Sequence, residues 1–323
     1  MNSLPFTRRA CIAAALALAA GALHAQAAYP DKPVRIVVPS SPGGSADAVA
    51  RMVGERLSKT LGQQFVVDNK GGGGNIATEI VAKAAPDGYT LLLTGNNHTV
   101  NVSLFAKAPY KLEDFAPVIE LTRGPSVFVA ANNAPFSGLK TLIAKAKAAP
   151  ASIAYGSPGI GLPSHIAFEL FQYENRIQLV HAPYKGSGPS LADAVAGQIP
   201  LVSSTLAAAM PHIKAGKVKA LAVTSAQRWP SLPDVPTVAE VTGSKFTHLT
   251  WLGVLAPKGT PEPIVARLNA EMDKMLKDPD LRKTLETLGT DPVGGSPAAM
   301  GRMIQDEYAA SRNLIQAAKL KAE

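Results

Sequence analysis

The sequence predicts an α/β fold, with a parallel or mostly parallel sheet carrying helices on both faces. Short β-branched runs alternate with segments of helical period along most of the chain. The 27 glycines and 26 prolines fall between those segments rather than in one tract, so they mark turns. The 323 residues leave room for about two domains of ~150 residues, each large enough to bury a core. A composition 46% hydrophobic and 17% charged excludes a disordered chain.

The first element reads as an address. Arg8 and Arg9 give a positive start, Ile12–Leu23 is apolar, and Ala25-Gln26-Ala27 supplies the small residues of a cleavage site. Residues 1–27 are therefore expected to be a secretory signal, cleaved after Ala27. Ile12–Leu23 would make only about 18 Å of helix, too short for a ~30 Å hydrocarbon core. Thr7-Arg8-Arg9 loosely resembles a twin-arginine signal, and ordinary Sec signals also carry paired arginines, so the export route stays open. Cys11 precedes the apolar run, which argues against a lipoprotein site.

Removing this segment takes two arginines and no acid, so the formal charge falls from +8 to +6, and it takes the single cysteine. The mature chain is expected to be periplasmic, with no disulfide, thiolate nucleophile or cysteine metal ligand. No later apolar stretch reaches the roughly 18 residues of a spanning helix, which excludes a helical integral membrane protein.

Val34–Val38 (VRIVV) predicts a strand stopped by Pro39, and Val49, Val53 and Leu57 predict a helix after it. Phe65–Val67 reads as strand, and Gly71–Gly74 leads into a helix over about Ile76–Ala84. Pro86-Asp87-Gly88 turns the chain into a strand at Tyr89–Leu93. Further strands are predicted at Val127–Ala131, Ile153–Tyr155 and Leu179–Ala182, with helices at Leu139–Ala148, His165–Tyr173 and Ser190–Ala196. Two amphipathic helices close the chain, one on Ile264, Leu268, Met272 and Leu276, the other on Met303, Ile304, Tyr308 and Ile315.

Open α/β sheets bind ligands at the carboxyl ends of strands, where helix N-termini present free N–H groups. Three strand-to-helix turns are rich in Gly and Ser: Pro39–Asp47, Gly71–Asn75 and Gly156–His165. Each can bring bare amides to a ligand, and Ser40, Ser41 and Ser164 add hydroxyls. Any one alone is common punctuation; three together point to an anion site. Asp47 falls in a first helical turn, where it suits the macrodipole. The turns otherwise lack carboxylates, which suits a small carboxylate and not an amine or a metal.

Enzymatic readings find less support. The third turn has the form GxGxxS but lacks the third glycine of a dinucleotide fingerprint. There is no G-x-S-x-G, H-E-x-x-H or P-loop. Ser137–Lys140 matches S-x-x-K without its companion motifs, so Ser137 reads as an N-cap. The histidines of the mature chain (His98, His165, His181, His212, His248) show no metal-ligand spacing; His165, beside the third turn, is the one to test. No metal and no cofactor is expected. Nucleic acid is not an expected partner, because no basic stripe interleaves with aromatics.

The stretches YPDKPVRIVVPSSPGGSADAVAR, LGQQFVVDNKGGGGNIATEIVAKAAPDGYTLL, YGSPGIGLPSHIAFELF, HAPYKGSGPSLADAVAGQIPLV, MPHIKAGKVKALAVTSAQRWPSLPDVPTVAE and WLGVLAPKGTP carry a resemblance over nearly the whole mature chain. It resembles the tripartite tricarboxylate transporter receptors, the Bordetella uptake gene family of periplasmic solute-binding proteins. The resemblance implies a two-lobed periplasmic binding protein fold (type II-like, a Venus flytrap) with two crossing hinge strands. It places lobe 1 at 28–123 plus 250–323 and lobe 2 at 124–249, with the crossings near Leu121–Val127 and Thr247–Leu255 and Trp251 flanking the cleft.

The implied function is capture of a small carboxylate, without chemistry, and its delivery to the membrane permease subunits of a tripartite transporter. A monomer is expected. The implied ligand-binding residues are Ser40, Ser41, Gly43 and Gly44 in one lobe, and Ser157, Gly159, Gly161, Ser164 and His165 in the other. Thr94-Gly95-Asn96 faces the same cleft by topology, giving Asn96. Lys185 belongs to the family signature and reads equally as a solvated loop residue.

Two departures bear on the ligand. Ser40 stands where the family usually has an aromatic residue, and Ser203-Ser204-Thr205 where relatives often have Phe-Asp-Asn; Ser204 and Thr205 join the candidate site. Losing the acid removes a counter-charge for an ammonium, and losing two rings widens the cleft. The expected ligand is a larger dicarboxylate, an aromatic one such as terephthalate, with citrate-like or aliphatic diacids as rivals. A ligand-sensing partner of a membrane signalling protein would use the same cleft. A periplasmic hydrolase would need a nucleophile–base pair.

Overall fold

The computed structural model describes residues 29–317 apart from 72, 73 and 106. The signal segment, Cys11 and the middle of the Gly71–Gly74 turn lie outside the described residues. β1 (Val34–Val38) is a central strand, with Val34, Ile36, Val37 and Val38 fully buried. α1 (Ser45–Leu61) turns Val49, Ala50, Val53 and Leu57 onto it and ends where Gly62 adopts a left-handed conformation. β2 (Phe65–Asn69), α2 (Asn75–Ala82), β3 (Thr90–Gly95) and α3 (Asn97–Leu104) follow. A single 3₁₀ turn then leads into the long β4 (Phe115–Ala131).

The middle of the chain forms α4 (Leu139–Ala148), β5 (Ala154–Ser157), α5 (Pro163–Asn175), β6 (Val180–Pro183), α6 (Ser187–Val195), β7 (Leu201–Thr205), α7 (Leu206–Lys214), β8 (Val218–Val223) and α8 (Val238–Thr242). β9 (Leu249–Pro257) then returns, followed by α9 (Glu262–Leu276), α10 (Pro279–Thr287), the short β10 (Asp291–Pro292) and α11 (Pro297–Ala317).

The strand order is β2-β1-β3-β9-β4-β7-β5-β6, with β8 and β10 also on β4. β4 joins the two halves of this curled sheet. From Phe115 to Pro125 it pairs with β9; from Ser126 to Ala130 it pairs with β7, and over Val127–Ala131 with β8. Leu249 opens β9 opposite Pro125, just after the His248 N–H donates to Thr224 O at 2.8 Å. β4 and the His248–Leu249 entry to β9 therefore both run between the halves, and the protein has the two-lobed fold of periplasmic binding proteins.

The sheet is mixed, which corrects the mostly parallel expectation. β1–β2, β1–β3, β5–β6 and β5–β7 are parallel, but every pairing of β4 and β9 is antiparallel. Hydrophobic periodicity reports burial and not strand direction, so the sequence could not separate the two. Ser137 is also corrected: the N-cap of α4 is Gly138, and Thr141 Oγ1 accepts from the Ser137 and Gly138 amides.

Each half has its own core. Ile36, Leu91, Leu268 and Met272 belong to one side of the first sheet, and Val37, Leu92, Trp251 and Ile304 to the other. The second half buries a ring cluster of Phe128, Tyr155, Phe168 and Phe171 on one side and Val127, Val202, Leu206 and Met210 on the other. A small fifth cluster bridges the halves: Val100, Leu104 and Ile315 meet Ile166. Among the described residues no helix is long and apolar enough to cross a membrane.

Candidate ligand-binding cleft

Five helices begin at one cavity between the two halves. Its lining includes Gly44 and Ser45 at the start of α1, Asn97 of α3, Pro163 and Ser164 of α5, Gly186 and Ser187 of α6, and Thr205 and Ala207 at the start of α7. Their first N–H groups have no intrahelical acceptor, and their dipoles put partial positive charge at the same place. The empty volume is about 790 Å³, counting its solvent-open mouth. Val49, Leu162, Trp251 and Leu252 give it apolar walls, and none of the lining residues carries a charged side chain.

The geometry divides the sequence candidates. Ser40, Gly44, Ser164 and Thr205 line the cavity; Ser41, Gly43, Asn96, Ser157, Gly159, Gly161, His165 and Ser204 do not. In the first turn, Ser40 Oγ is buried with no hydrogen-bond partner among the described residues. Ser41 lies where the halves meet: a Cβ on Gly186 would sit 3.6 Å from Ser41 Cβ. The Gly43 amide is already taken, donating to Asp47 Oδ2 at 2.9 Å, and its φ of +84° is what calls for glycine there. Against the upward push of burial, hydrogen bonds from Arg51 and the Gly43 amide hold the Asp47 carboxyl below its usual range.

The third turn has internal partners for most of its polar groups. Ser157 Oγ lies 2.6 Å from His181 Nε2, and the Gly159 amide donates to the same hydroxyl. Gly161 donates to His165 Nδ1 at 3.2 Å. The His165 and His181 rings stack at 4.3 Å. Burial, reinforced by the neighbouring His181, pushes His165 down to about 3, and burial takes His181 to about 4, so both are neutral near pH 7. Ser164 Oγ pairs with Ser126 Oγ at 3.1 Å, and Ser203 Oγ donates to the Ser164 carbonyl.

Asn96 stands beside the cavity but not in its lining. Its Nδ2 donates to Leu249 O and Glu307 Oε1, and its Oδ1 accepts from the Trp251 amide at 3.1 Å. The next residue, Asn97, reaches the cavity instead, with a buried Nδ2 that has no partner among the described residues. Thr205 caps α7 and donates to Ser45 Oγ at 3.2 Å across the cleft. Ser204 Oγ is buried and without a partner among the described residues. Lys185 is exposed, while Gly186 and Ser187 beside it line the cavity.

Sequence reasoning missed Asn97, Gly186 and Ser187. The last two carried the signal used for the other turns, a Gly/Ser run opening a helix. It also missed the hinge side, where Thr122, Gly124, Thr250 and Thr290 complete the lining. These lie in strands or beyond α10, and nothing local marks them. Trp251 does flank the cleft. No cluster of three metal-ligating side chains occurs among the described residues.

The sequence pattern of the tripartite tricarboxylate transporter family receptor matches residues 49–320. The chain belongs to that family. BugT of Bordetella pertussis is 36% identical over 299 residues, covering 91% of this chain and 92% of its own. A Rhodopseudomonas palustris protein solved with adipate is 35% identical with a TM-score of 0.87, over 91% of this chain and 99% of that one. MatC of the same organism, solved with bound malate, is 33% identical with a TM-score of 0.85, over 89% and 100%. This receptor is thus a solute-binding protein of the Bug type, a family of periplasmic binding proteins rather than enzymes.

Proposed function

We propose that this receptor captures a small dicarboxylate between its lobes and delivers it to the membrane subunits of a tripartite transporter. The observation that carries the reading is the convergence of five helix N-termini on a cavity whose lining has no charged side chain. Such a cavity attracts an anion through amides and hydroxyls and contains no counter-charge for an ammonium. Ser40 Oγ and Asn97 Nδ2, both unpartnered among the described residues, are the side-chain donors, with Gly44, Ser164 and Thr205 around them. The related proteins solved with adipate and malate are consistent with a diacid.

The apolar walls at Val49, Leu162, Trp251 and Leu252 suit an apolar spacer between two carboxylates, aliphatic as in adipate or aromatic as in terephthalate. Hydrogen bonds to a charged group contribute roughly 1.5–3 kcal/mol each, so four or five would reach the ~8 kcal/mol of a micromolar complex after ordering costs. On this reading lobe 1 comprises residues 28–123 plus 250–323 and lobe 2 residues 124–249. The exported form is a periplasmic monomer beginning at Ala28.

Calorimetric titration with adipate, terephthalate and malate, each beside its monoacid counterpart, tests the ligand class. At least one diacid should bind with a micromolar dissociation constant, at least tenfold tighter than its monoacid. Binding of amines alone, or of no carboxylate, would sink the reading.

A further inference from the structure

Behind the hinge-side wall of the cavity lies a carboxyl group that no cleft turn contains. Glu307 sits on α11, and three neighbours surround its two oxygens. The Trp251 indole N–H donates to Oε2 at 2.7 Å, and Asn96 Nδ2 donates to Oε1. Thr99 Oγ1 lies 2.8 Å from Oε2 and also 2.8 Å from Asn96 O. Trp251 is 3% exposed and lines the cavity. Asn96 precedes the first residue of α3 and also holds the Trp251 amide.

We infer that Glu307 is a positioning residue for ligand binding, fixing the Trp251 indole and Asn96 and through them the hinge-side wall of the cavity. The donor inventory explains why an acid is used. Trp251 and Asn96 each present an N–H, and only a carboxyl group offers an acceptor on both oxygens. An amide in its place must turn an NH₂ towards one of those donors. Thr99 has one proton for two acceptors. Its hydroxyl is in reach of both Glu307 Oε2 and the Asn96 carbonyl, so it ties the acid to the start of α3. Burial pushes the Glu307 carboxyl up from its usual range, against the pull of the hydrogen bonds from Thr99, Trp251 and Asn96.

The inference rests on the proposed diacid reading only for its affinity readout. Trp229 and Trp251 are the two tryptophans of the chain, so Trp229→Phe leaves Trp251 as its own probe. In that background, Glu307→Gln should shift the Trp251 emission in the unliganded protein. It should also raise the adipate dissociation constant about tenfold, the equivalent of one lost hydrogen bond. Combined with Trp251→Phe, which has no indole N–H, the Glu307→Gln effect should shrink below about threefold. If Glu307→Gln does not fold, Glu307→Asp keeps the acid but withdraws it by one methylene, and the same changes are expected at smaller size.

Unchanged emission and affinity would overturn the inference, as would an undiminished loss in the Phe background. If the parent protein binds no diacid, the proposed ligand class fails, and the emission of Trp251 alone decides the role of Glu307.

Discussion

Between β1 and α1, Ser40 keeps a hydroxyl with no partner among the described residues, and α1 starts at Gly44 with no side-chain cap. Between β5 and α5, a turn of the same Gly, Ser and Pro composition has its polar groups bound to one another and to neighbours. Ser157 meets His181, Gly161 meets His165, and Ser164 meets Ser126 and Ser203. The first turn has donors to offer a ligand, whereas the second is a rigid frame that positions the start of α5. Residue type alone does not separate them. The difference lies in partners supplied from afar: His181 is 24 residues from Ser157, and Ser126 is 38 residues from Ser164.

The largest effect that tests this contrast belongs to the frame. His181→Leu would leave the buried Ser157 Oγ with only the Gly159 amide as partner and remove the ring stacked on His165. Unfolding in urea should show a loss of about 2–4 kcal/mol, with diacid affinity in the folded fraction within threefold of the parent. The acid side follows in sign. His165 and His181 are held neutral at about 3 and about 4, so between those values and 6.5 the unfolded chain binds more protons. Their contribution is complete above pH 6.5 and is lost as the pH falls through that window. His98 and His248, pushed by burial to about 3 and about 4, act in the same sense. His181→Leu should therefore make the slope of stability against pH shallower without abolishing it. An unchanged slope would mean that the stacked pair is not held neutral by the fold.

Ser40→Ala is the mirror variant and the next in size. No hydrogen bond among the described residues is lost, so stability should stay within about 0.5 kcal/mol, while diacid affinity drops about five- to tenfold. Thermal melting and calorimetry on the same preparation read both. A variant that melts early and binds normally would reverse the assignment of the two turns.

Much of the architecture was legible because buried strands and amphipathic helices leave periodic traces. Val34–Val38 and Leu139–Ala148 appear with the bounds the pattern implied. α3 was not legible: NHTVNVSL has no apolar stripe, since Asn97, His98, Thr99, Val100 and Asn101 are all buried and tertiary contacts on every side hold it. The first half of β4 was hidden by Pro117, Gly124 and Pro125, which read as breakers and here sit in a strand with register shifts after Pro117 and Glu120. At the site, the Gly- and Ser-rich turns were visible, but their occupancy was not. Asp47 in the first helical turn was read as a dipole partner, and it is also the group that takes the Gly43 amide. Nothing local in the sequence marks Glu307, because its partners Asn96, Thr99 and Trp251 come from two distant segments.

The smallest effect lies where the two halves touch. Thr205 Oγ1 donates to Ser45 Oγ at 3.2 Å across the cleft and accepts from the Ala208 amide at 3.4 Å. Thr205→Val keeps the branched shape and removes both bonds. The cap is long and its loss should cost under about 1 kcal/mol in stability. The cross-cleft bond forms between one half and the other, so its absence should be felt once the lobes are together, as a two- to threefold faster diacid release with little change in the association rate. Stopped-flow dissociation measures that ratio. If association slows instead while release is unchanged, Thr205 acts on the open cleft, and the closed contact between Ser45 and Thr205 contributes nothing to retention.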